Sequence, residues 1–471
     1  LFTGFCEQIG QLELPFDGIA DLRMKLSEIS QTLREIRVAP VRSLGQNFLH
    51  DGNLARWIVD QAGITPEDFV VEIGPGLGAL TELLLESGAR VLAIEKDARL
   101  AGFLREKFGD RRLEVVHADA LKFDLRPLYL QPRITLIGNL PYYVSSQLLL
   151  KFINYPSPIS LSVLMLQKEL ARRLSASPST ADYGALTLQI QLHYRVEYLR
   201  TVPASVFLPK PEVDSALIRI TPREPNELPA VDSNLFNQLV RHGFSQRRKQ
   251  LGKLISDLVP NWQAAAADVG LDRQVRAEAV SLSQWIALAE YVRQTTAEGG
   301  ELQSEERFPV VDDRDQVLRE APRSEVHGDN LRHRAVHIMI SNEKGEILLQ
   351  KRSPWKDRHP RLWDSSTAGH VSAGEEYDLT ARRELQEELG IDVPLQQVAK
   401  LPASDQTDQE FICIYHGQHE GDFKPERSEI EMVQFFPPDL IDGWIVARPK
   451  DFAPAFLECW KAYRRQPVRG G

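Results

Sequence analysis

Phe69-Val70-Val71-Glu72-Ile73 runs straight into Gly74-Pro75-Gly76-Leu77-Gly78, and an apolar helical pattern follows from about Leu80 to Glu86. A buried-strand run, a glycine turn and a helix in that order constrain this chain more than any other stretch, because such a strand is stable only between parallel partners. Partners are present. Residues 91–94, 115–119 and 134–137 are short apolar runs separated by helical stretches, and this alternation predicts an α/β fold, a Rossmann-like, doubly wound parallel sheet.

The glycine turn lets backbone N–H groups approach a ligand closely, and a nucleotide is the obvious candidate. Glu95 stands 21 residues after Gly74 at the end of the second strand, where a carboxylate takes both hydroxyls of a ribose. Asp119 ends the third strand and can accept from an adenine amine. The turn alone fits NAD almost as well, although Ala79 breaks the full G-x-G-x-x-G. The fourth strand decides between them, since it leads into Gly138-Asn139-Leu140-Pro141-Tyr142-Tyr143.

An exocyclic adenine amine has its lone pair delocalised into the ring. An enzyme that alkylates it must position that nitrogen and favour its pyramidal form. The Asn139 amide oxygen and the Leu140 carbonyl can accept its two N–H bonds, Pro141 stiffens the turn, and Tyr142 offers a face for the base. No strong general base is required.

With 471 residues the chain is too long for one ordinary core, and two or three domains are expected. The net charge of -10 is unevenly spread. From Met24 to Thr295 there are 32 Lys+Arg and 29 Asp+Glu; from Thr296 to Gly471 there are 23 and 33; residues 1–23 hold 1 and 4. A faintly basic first part can approach a polyanion, while an acidic second part suits metal-mediated binding. No membrane-length apolar run or secretory pattern is present in the sequence. Cys6, Cys413 and Cys459 form no metal spacing and read as free thiols in a reducing cytoplasm. Met24 is the first methionine, so translation is expected to start there, leaving residues 1–23 as an upstream extension with no role in the fold.

The first part resembles the ribosomal RNA adenine N6,N6-dimethyltransferase family across about 270 residues. The resemblance rests on Leu44-Gly45-Gln46-Asn47-Phe48-Leu49, on Val71 to Gly78, on Gly138 to Tyr142, and on Val206-Phe207-Leu208-Pro209-Lys210-Pro211-Glu212-Val213-Asp214-Ser215-Ala216. It implies S-adenosyl-L-methionine as methyl donor, held by Asn47, Leu49, Gly74, Glu95, Asp119 and Asn139. It also implies that Tyr142 and Phe207 sandwich a flipped adenine of small-subunit (16S) ribosomal RNA, with Asn139, Leu140 and Pro141 completing the catalytic set. Further on, Arg247, Arg248, Lys249 and Lys253 put four cations in seven residues, which suits an RNA backbone contact in a small helical domain. The family has a similar run there. Leu166 to Leu174 adds a basic helix face.

Gln294 to Arg307, with Thr-Thr, Gly-Gly and several Glu, reads as a linker. Beyond it, Gly369, Glu375, Arg383, Glu384, Glu387, Glu388 and Gly390 fit G-x5-E-x7-R-E-U-x-E-E-x-G-U without a miss, the signature of Nudix pyrophosphohydrolases. Glu384, Glu387 and Glu388 share one helix face, a charge density that Mg²⁺ or Mn²⁺ would compensate while bridging a diphosphate-containing small molecule. Glu429 and Glu431 are further candidate ligands or bases. His333 to His337, Leu348 to Ser353 and Trp363-Asp364 resemble the Nudix branch that includes isopentenyl diphosphate isomerase. That isomerase uses a cysteine shortly before its Gly-His, and this chain has Ser365-Ser366-Thr367, so hydrolysis rather than isomerisation is expected.

The expected organisation is an N-terminal extension and short helix (1–36), a methyltransferase domain (37–225), a helical RNA-binding domain (226–295), a linker (296–309) and an α/β/α Nudix domain (310–471), in a cytoplasmic enzyme with no membrane partner. The rival expectations are a large-subunit rRNA methyltransferase and a ribosome-assembly factor whose RNA binding matters more than catalysis.

Overall fold

The computed structural model describes residues 26–38, 46–109, 111–297 and 306–466. The expected extension 1–23 and residues 298–305 of the linker lie outside them.

The first half contains strands β1 (Phe48–Leu49), β2 (Phe69–Ile73), β3 (Arg90–Glu95), β4 (Leu113–His117), β5 (Ile134–Asn139), β6 (Leu161–Gln167), β7 (Tyr194–Val202), β8 (Phe207–Leu208) and β9 (Ser215–Pro222). Seven of them form one sheet in the order β4-β3-β2-β5-β6-β9-β7. The first five in that order run parallel, and β9 lies antiparallel to β6 and β7. Every residue of β2 is buried, as a central parallel strand covered on both faces requires. Leu54, Ile58, Leu83 and Leu84, from the helices Gly52–Ala62 and Ala79–Glu86, close one face; Leu148 and Phe152, from the helix Ser145–Ile153, close the other. β1 and β8 form a separate antiparallel pair, Phe48 opposite Leu208 and Leu49 opposite Phe207.

A helical module follows, built around Phe236, Leu239 and Trp285. Its last helix, Leu282–Ala297, continues past the expected end at 295. The basic run also departs from expectation. Only Leu251–Leu254 is helical; residues 244–250 form turns after the helix Ser233–Gly243 ends.

The second half holds β10 (Arg307–Val311), β11 (Val317–Pro322), β12 (His333–Ser341), β13 (Ile347–Arg352), β14 (Trp363–Asp364), β15 (Thr367–His370), β16 (Gln396–Leu401), β17 (Glu410–Gln418) and β18 (Ile430–Phe436). Their main sheet runs β14-β13-β12-β17-β16, with β15 on β12 and β18 on β13. Leu385 and Leu389 of the helix Tyr377–Leu389 pack on one side, and Trp444, Phe456 and Trp460 of the two C-terminal helices pack on the other. This is the expected α/β/α layering. Cys413 and Cys459 are buried free thiols. Among the described residues no helix is long and apolar enough to cross a membrane.

Candidate active sites

The carboxyl ends of β2, β3, β4 and β5 meet in one pocket, whose lining includes Asn47, Leu49, Gly74, Glu95, Asp119, Asn139 and Pro141. Gly74 and Gly76 turn the chain with φ of 67° and 60°, and a Cβ on Gly76 would meet the Phe48 ring at 3.1 Å. The turn is therefore glycine both for its conformation and for its clearance. Glu95 is buried and accepts from the Gly76 N–H at 3.2 Å and the Asp97 N–H at 2.8 Å. Burial still pushes its carboxyl above the usual range. Asp119 sits two residues beyond β4, where its Oδ1 accepts from the Leu121 N–H at 3.0 Å and its Oδ2 lies 2.9 Å from Lys96 Nζ. The Lys96 hydrogen bond holds its carboxyl below the ordinary value.

Asn139 is the last residue of β5 rather than a loop residue. Its Nδ2 donates to the Asn47 carbonyl at 2.9 Å, which leaves Oδ1 as the end available to accept. Leu140 is buried with its N–H on the Met165 carbonyl at 3.0 Å, so its backbone is anchored by β6. Tyr142 is half-buried and exchanges a 2.5 Å hydrogen bond with Ser215 Oγ. Phe207 is 2 % exposed and packs in the core below the β1–β8 pair. Leu140, Tyr142 and Phe207 stand outside the lining of the donor pocket.

Glu72 was not anticipated. It is 1 % exposed, lines the same pocket and accepts from Thr81 Oγ1 at 2.6 Å. Burial raises its carboxyl to about 7, with Glu95 adding repulsion. The signal in the sequence is a carboxylate inside an otherwise apolar strand.

In the basic run, Arg248, Lys249 and Lys253 are exposed. Arg247 is exposed as well, but its guanidinium donates to the Ala181 and Tyr183 carbonyls, so it ties the basic run to the loop before the helix Ala185–Gln191.

The Nudix signature folds into a cleft of about 1000 Å³ lined by Gly369, Arg383, Glu384, Glu387 and Glu388. Glu375 stands behind the lining and fixes Arg383, accepting from its Nε at 2.9 Å and Nη2 at 3.1 Å. Arg383 in turn reaches Glu384 and Glu387, each at 2.9 Å. A Cβ on Gly369 would lie 2.0 Å from Glu384 Cδ, so that glycine exists to let the carboxylate pass. Burial and the neighbouring Glu388 raise the Glu384 carboxyl to about 7. A cation placed there would reverse that penalty. Glu429 lines the cleft and pairs with Lys356. Glu431, expected beside it, lines a different cavity: Glu429 precedes β18, and the pairing with β13 shifts register at Glu431, with Met432 opposite Lys351 and Ile430 opposite Arg352, so the two carboxylates do not share a strand face.

Three histidines cluster at one end of the cleft, His327 and His370 in its lining and His333 buried behind them, and none was singled out as a ligand from sequence. The ligand nitrogens of His327, His333 and His370 lie within 4.8 Å of one another. Asp357 holds His327 Nδ1 at 3.1 Å and the Leu331 carbonyl holds His333 Nδ1 at 2.8 Å, leaving both Nε2 atoms buried without a hydrogen-bond partner, with Glu410 Oε1 3.5 Å from that of His333. Glu410 approaches His370 Nε2 at 3.1 Å. Burial drives the His370 imidazole down to about 3, so it is neutral at ordinary pH, as a metal ligand must be. These residues fit a divalent cation. They come from a helix and two strands, with no motif spacing to betray them.

A glycine turn, two carboxylates at strand ends, and Asn139 with Pro141 converging on one pocket, with Tyr142 just outside it, define a Rossmann-like methyltransferase. The family model for ribosomal RNA adenine dimethylase matches residues 41–294, and the chain belongs to that family. A NUDIX domain model matches residues 331–456. Ribosomal RNA small subunit methyltransferase A of Geobacillus thermodenitrificans is 39% identical over 261 residues, covering 53% of this chain and 89% of that protein. The Pseudomonas putida protein of the same name is 39% identical over 251 residues, covering 53% and 93%. The crystal structure of a dimethyladenosine transferase from Plasmodium falciparum is similar with 26% identity and a TM-score of 0.45, covering 53% of this chain and 98% of that one.

Proposed function

We propose that the first half dimethylates adenine N6 in small-subunit ribosomal RNA, and that the Nudix half hydrolyses a diphosphate-containing small molecule with Mg²⁺ or Mn²⁺. The observation that carries the first proposal is the Asn139 amide, whose nitrogen donates to the Asn47 carbonyl and whose oxygen is left to accept. Asn47, Leu49, Gly74, Glu95 and Asp119 would hold S-adenosylmethionine, which when bound would supply an electrophilic methyl group. Asn139 Oδ1 and the Leu140 carbonyl accept the two N–H bonds, which frees the nitrogen lone pair to attack the methyl carbon as the carbon–sulfur bond breaks. The surplus proton leaves through these acceptors to water. Tyr142, steadied by Ser215, stacks on the base, while Phe207, expected on the other face, is closed into the core and supports the site from beneath the β1–β8 pair. Arg248, Lys249 and Lys253 contact RNA phosphates, so recognition rests on shape and charge.

In the second half, Glu384, Glu387 and Glu388 would hold a divalent cation, with His327, His333 and His370 holding another across the same cleft. Such ions neutralise a diphosphate and lower the pKa of water. The chain's own part is to fix the carboxylates through Arg383 and to leave room for them at Gly369.

The test of the methyltransferase is transfer of labelled methyl to undermethylated small ribosomal subunits. Two methyls on adenine N6 are expected. Asn139→Ala should lower transfer by ~10²–10³-fold, the usual cost of a lost preorganised polar contact, while the donor still binds. Methylation of large-subunit RNA alone would refute the target.

A further inference from the structure

The two halves meet across an extensive seam. Tyr129 of the first half is buried in the apolar cluster of the second, its ring 4.0 Å from that of Trp444. Arg126 pairs with Glu346 at 2.8 Å, Arg448 Nη2 donates to the Pro158 carbonyl at 2.9 Å, and Arg361 Nη1 donates to the Leu228 carbonyl at 3.1 Å. These contacts wall a cavity of about 640 Å³ with residues from both halves. It is separate from the donor pocket and from the Nudix cleft.

The cavity is electropositive. Arg126, Lys151, Arg241 and Arg427 line it, against Glu431 as the one carboxylate among the described lining residues. Arg126 is neutralised by Asp124 and Glu346, and Lys151 Nζ donates to the Leu121 carbonyl at 2.7 Å. Arg241 and Arg427 form no ion pair with any described carboxylate, although Arg427 Nη1 donates to the Glu431 carbonyl at 3.0 Å. Two buried acceptors in the lining, Asn237 Oδ1 and Glu431 Oε2, have no hydrogen-bond partner. Unpaired buried polar atoms are costly, and each such atom in a folded protein needs an explanation. The wall also carries an aromatic plate, Tyr155 stacked on His193 with ring centroids 4.3 Å apart and planes 3° from parallel.

We propose that this cavity binds a free nucleoside phosphate. The phosphate lies between Arg241 of the first half and Arg427 of the second. Hydroxyl or amine donors of the nucleoside satisfy Asn237 and Glu431, and the base lies at the edge of the Tyr155–His193 stack, since His193 takes one face of Tyr155 and Lys351 Nζ stands 5.8 Å over the ring. The volume falls within the ~300–1,000 Å³ of small-molecule sites. Because the two arginines belong to different halves, the ligand braces the seam, and its binding reports on the seam's integrity.

The test uses the full chain with EDTA, which removes divalent ions from the Nudix cleft, and saturating S-adenosylhomocysteine, which blocks the donor pocket. ADP is titrated in by calorimetry, with pyrophosphate as the ring-free probe. The expected result is one ADP per chain, bound at least tenfold more tightly than pyrophosphate and weakened at least tenfold by Arg241→Ala and by Arg427→Ala. Both side chains are exposed, so the variants should fold, and unchanged melting would verify this. No binding of ADP at about 1 mM, a threshold near -4 kcal/mol, overturns the proposal. So does ADP affinity unmoved in the Arg241 variant, which would place the nucleotide elsewhere. Pyrophosphate binding as tight as ADP overturns the nucleoside assignment.

Discussion

The donor pocket and the Nudix cleft solve opposite electrostatic problems. In the pocket the carboxylates Glu72, Glu95 and Asp119 are held apart by strand ends, and the basic residue in contact with one of them, Lys96, is mostly exposed. Methyl transfer from a sulfonium begins with positive charge and disperses it, so nearby cations give little help. The cleft instead crowds Glu384, Glu387 and Glu388 onto one helix face and sets Arg383, His327, His370 and Lys356 around them. Phosphoryl chemistry starts from an anion and needs cations before attack can occur. One site works by positioning and the other by charge, and the residue types differ accordingly.

Removing metal should separate the two most sharply. EDTA is expected to abolish diphosphate hydrolysis, measured by phosphate or pyrophosphate release, and to leave methyl transfer within about twofold. Equal loss of both activities would break the contrast. Gly369→Ala comes next, since its Cβ would displace Glu384; hydrolysis should fall by ~10²-fold, as a misplacement of about 1 Å does, again with methylation intact.

Glu72→Gln tests the pocket through pH. The folded chain keeps the Glu72 proton to about pH 7, whereas an unperturbed glutamate releases it near 4.5. Between those values the native state binds more protons than the unfolded state, so stability falls as pH rises, and the full penalty applies above 7. It is on the order of 3 kcal/mol. Glu72→Gln should therefore melt close to wild type near pH 4.5 and higher than wild type at pH 8 when no donor is bound; identical curves would show that the carboxylate carries no such penalty. The smallest effect is expected for Ser215→Ala. Loss of the Tyr142 tether should cost about 1 kcal/mol, seen as a severalfold lower kcat/KM for RNA with donor affinity unchanged.

Both sites were partly legible beforehand, and the parts that were not share a cause. Gly74, Glu95 and Asp119 recur at strand ends because a βαβ repeat places each ligand a fixed distance along the chain. The Nudix carboxylates share a face because 3.6 residues per turn dictates it. Asn47 and Asn139, by contrast, are 92 residues apart and meet only because β1 pairs with β8 over the pocket. Ser215 reaches Tyr142 across 73 residues. Arg247 looked like its basic neighbours and proves to be a structural tie, since charge alone does not say which cation has a carbonyl to bind.

By itself the sequence determined the two α/β units, their order and the kinds of chemistry at each, since periodicity and turn residues act over a few residues. Only the tertiary structure decided that His327, His333 and His370 converge, that Glu431 leaves the Nudix cleft for another cavity, and that Tyr129 anchors one half in the other. Those outcomes depend on which side of a strand faces which neighbour and on burial between distant segments, and no local pattern encodes either.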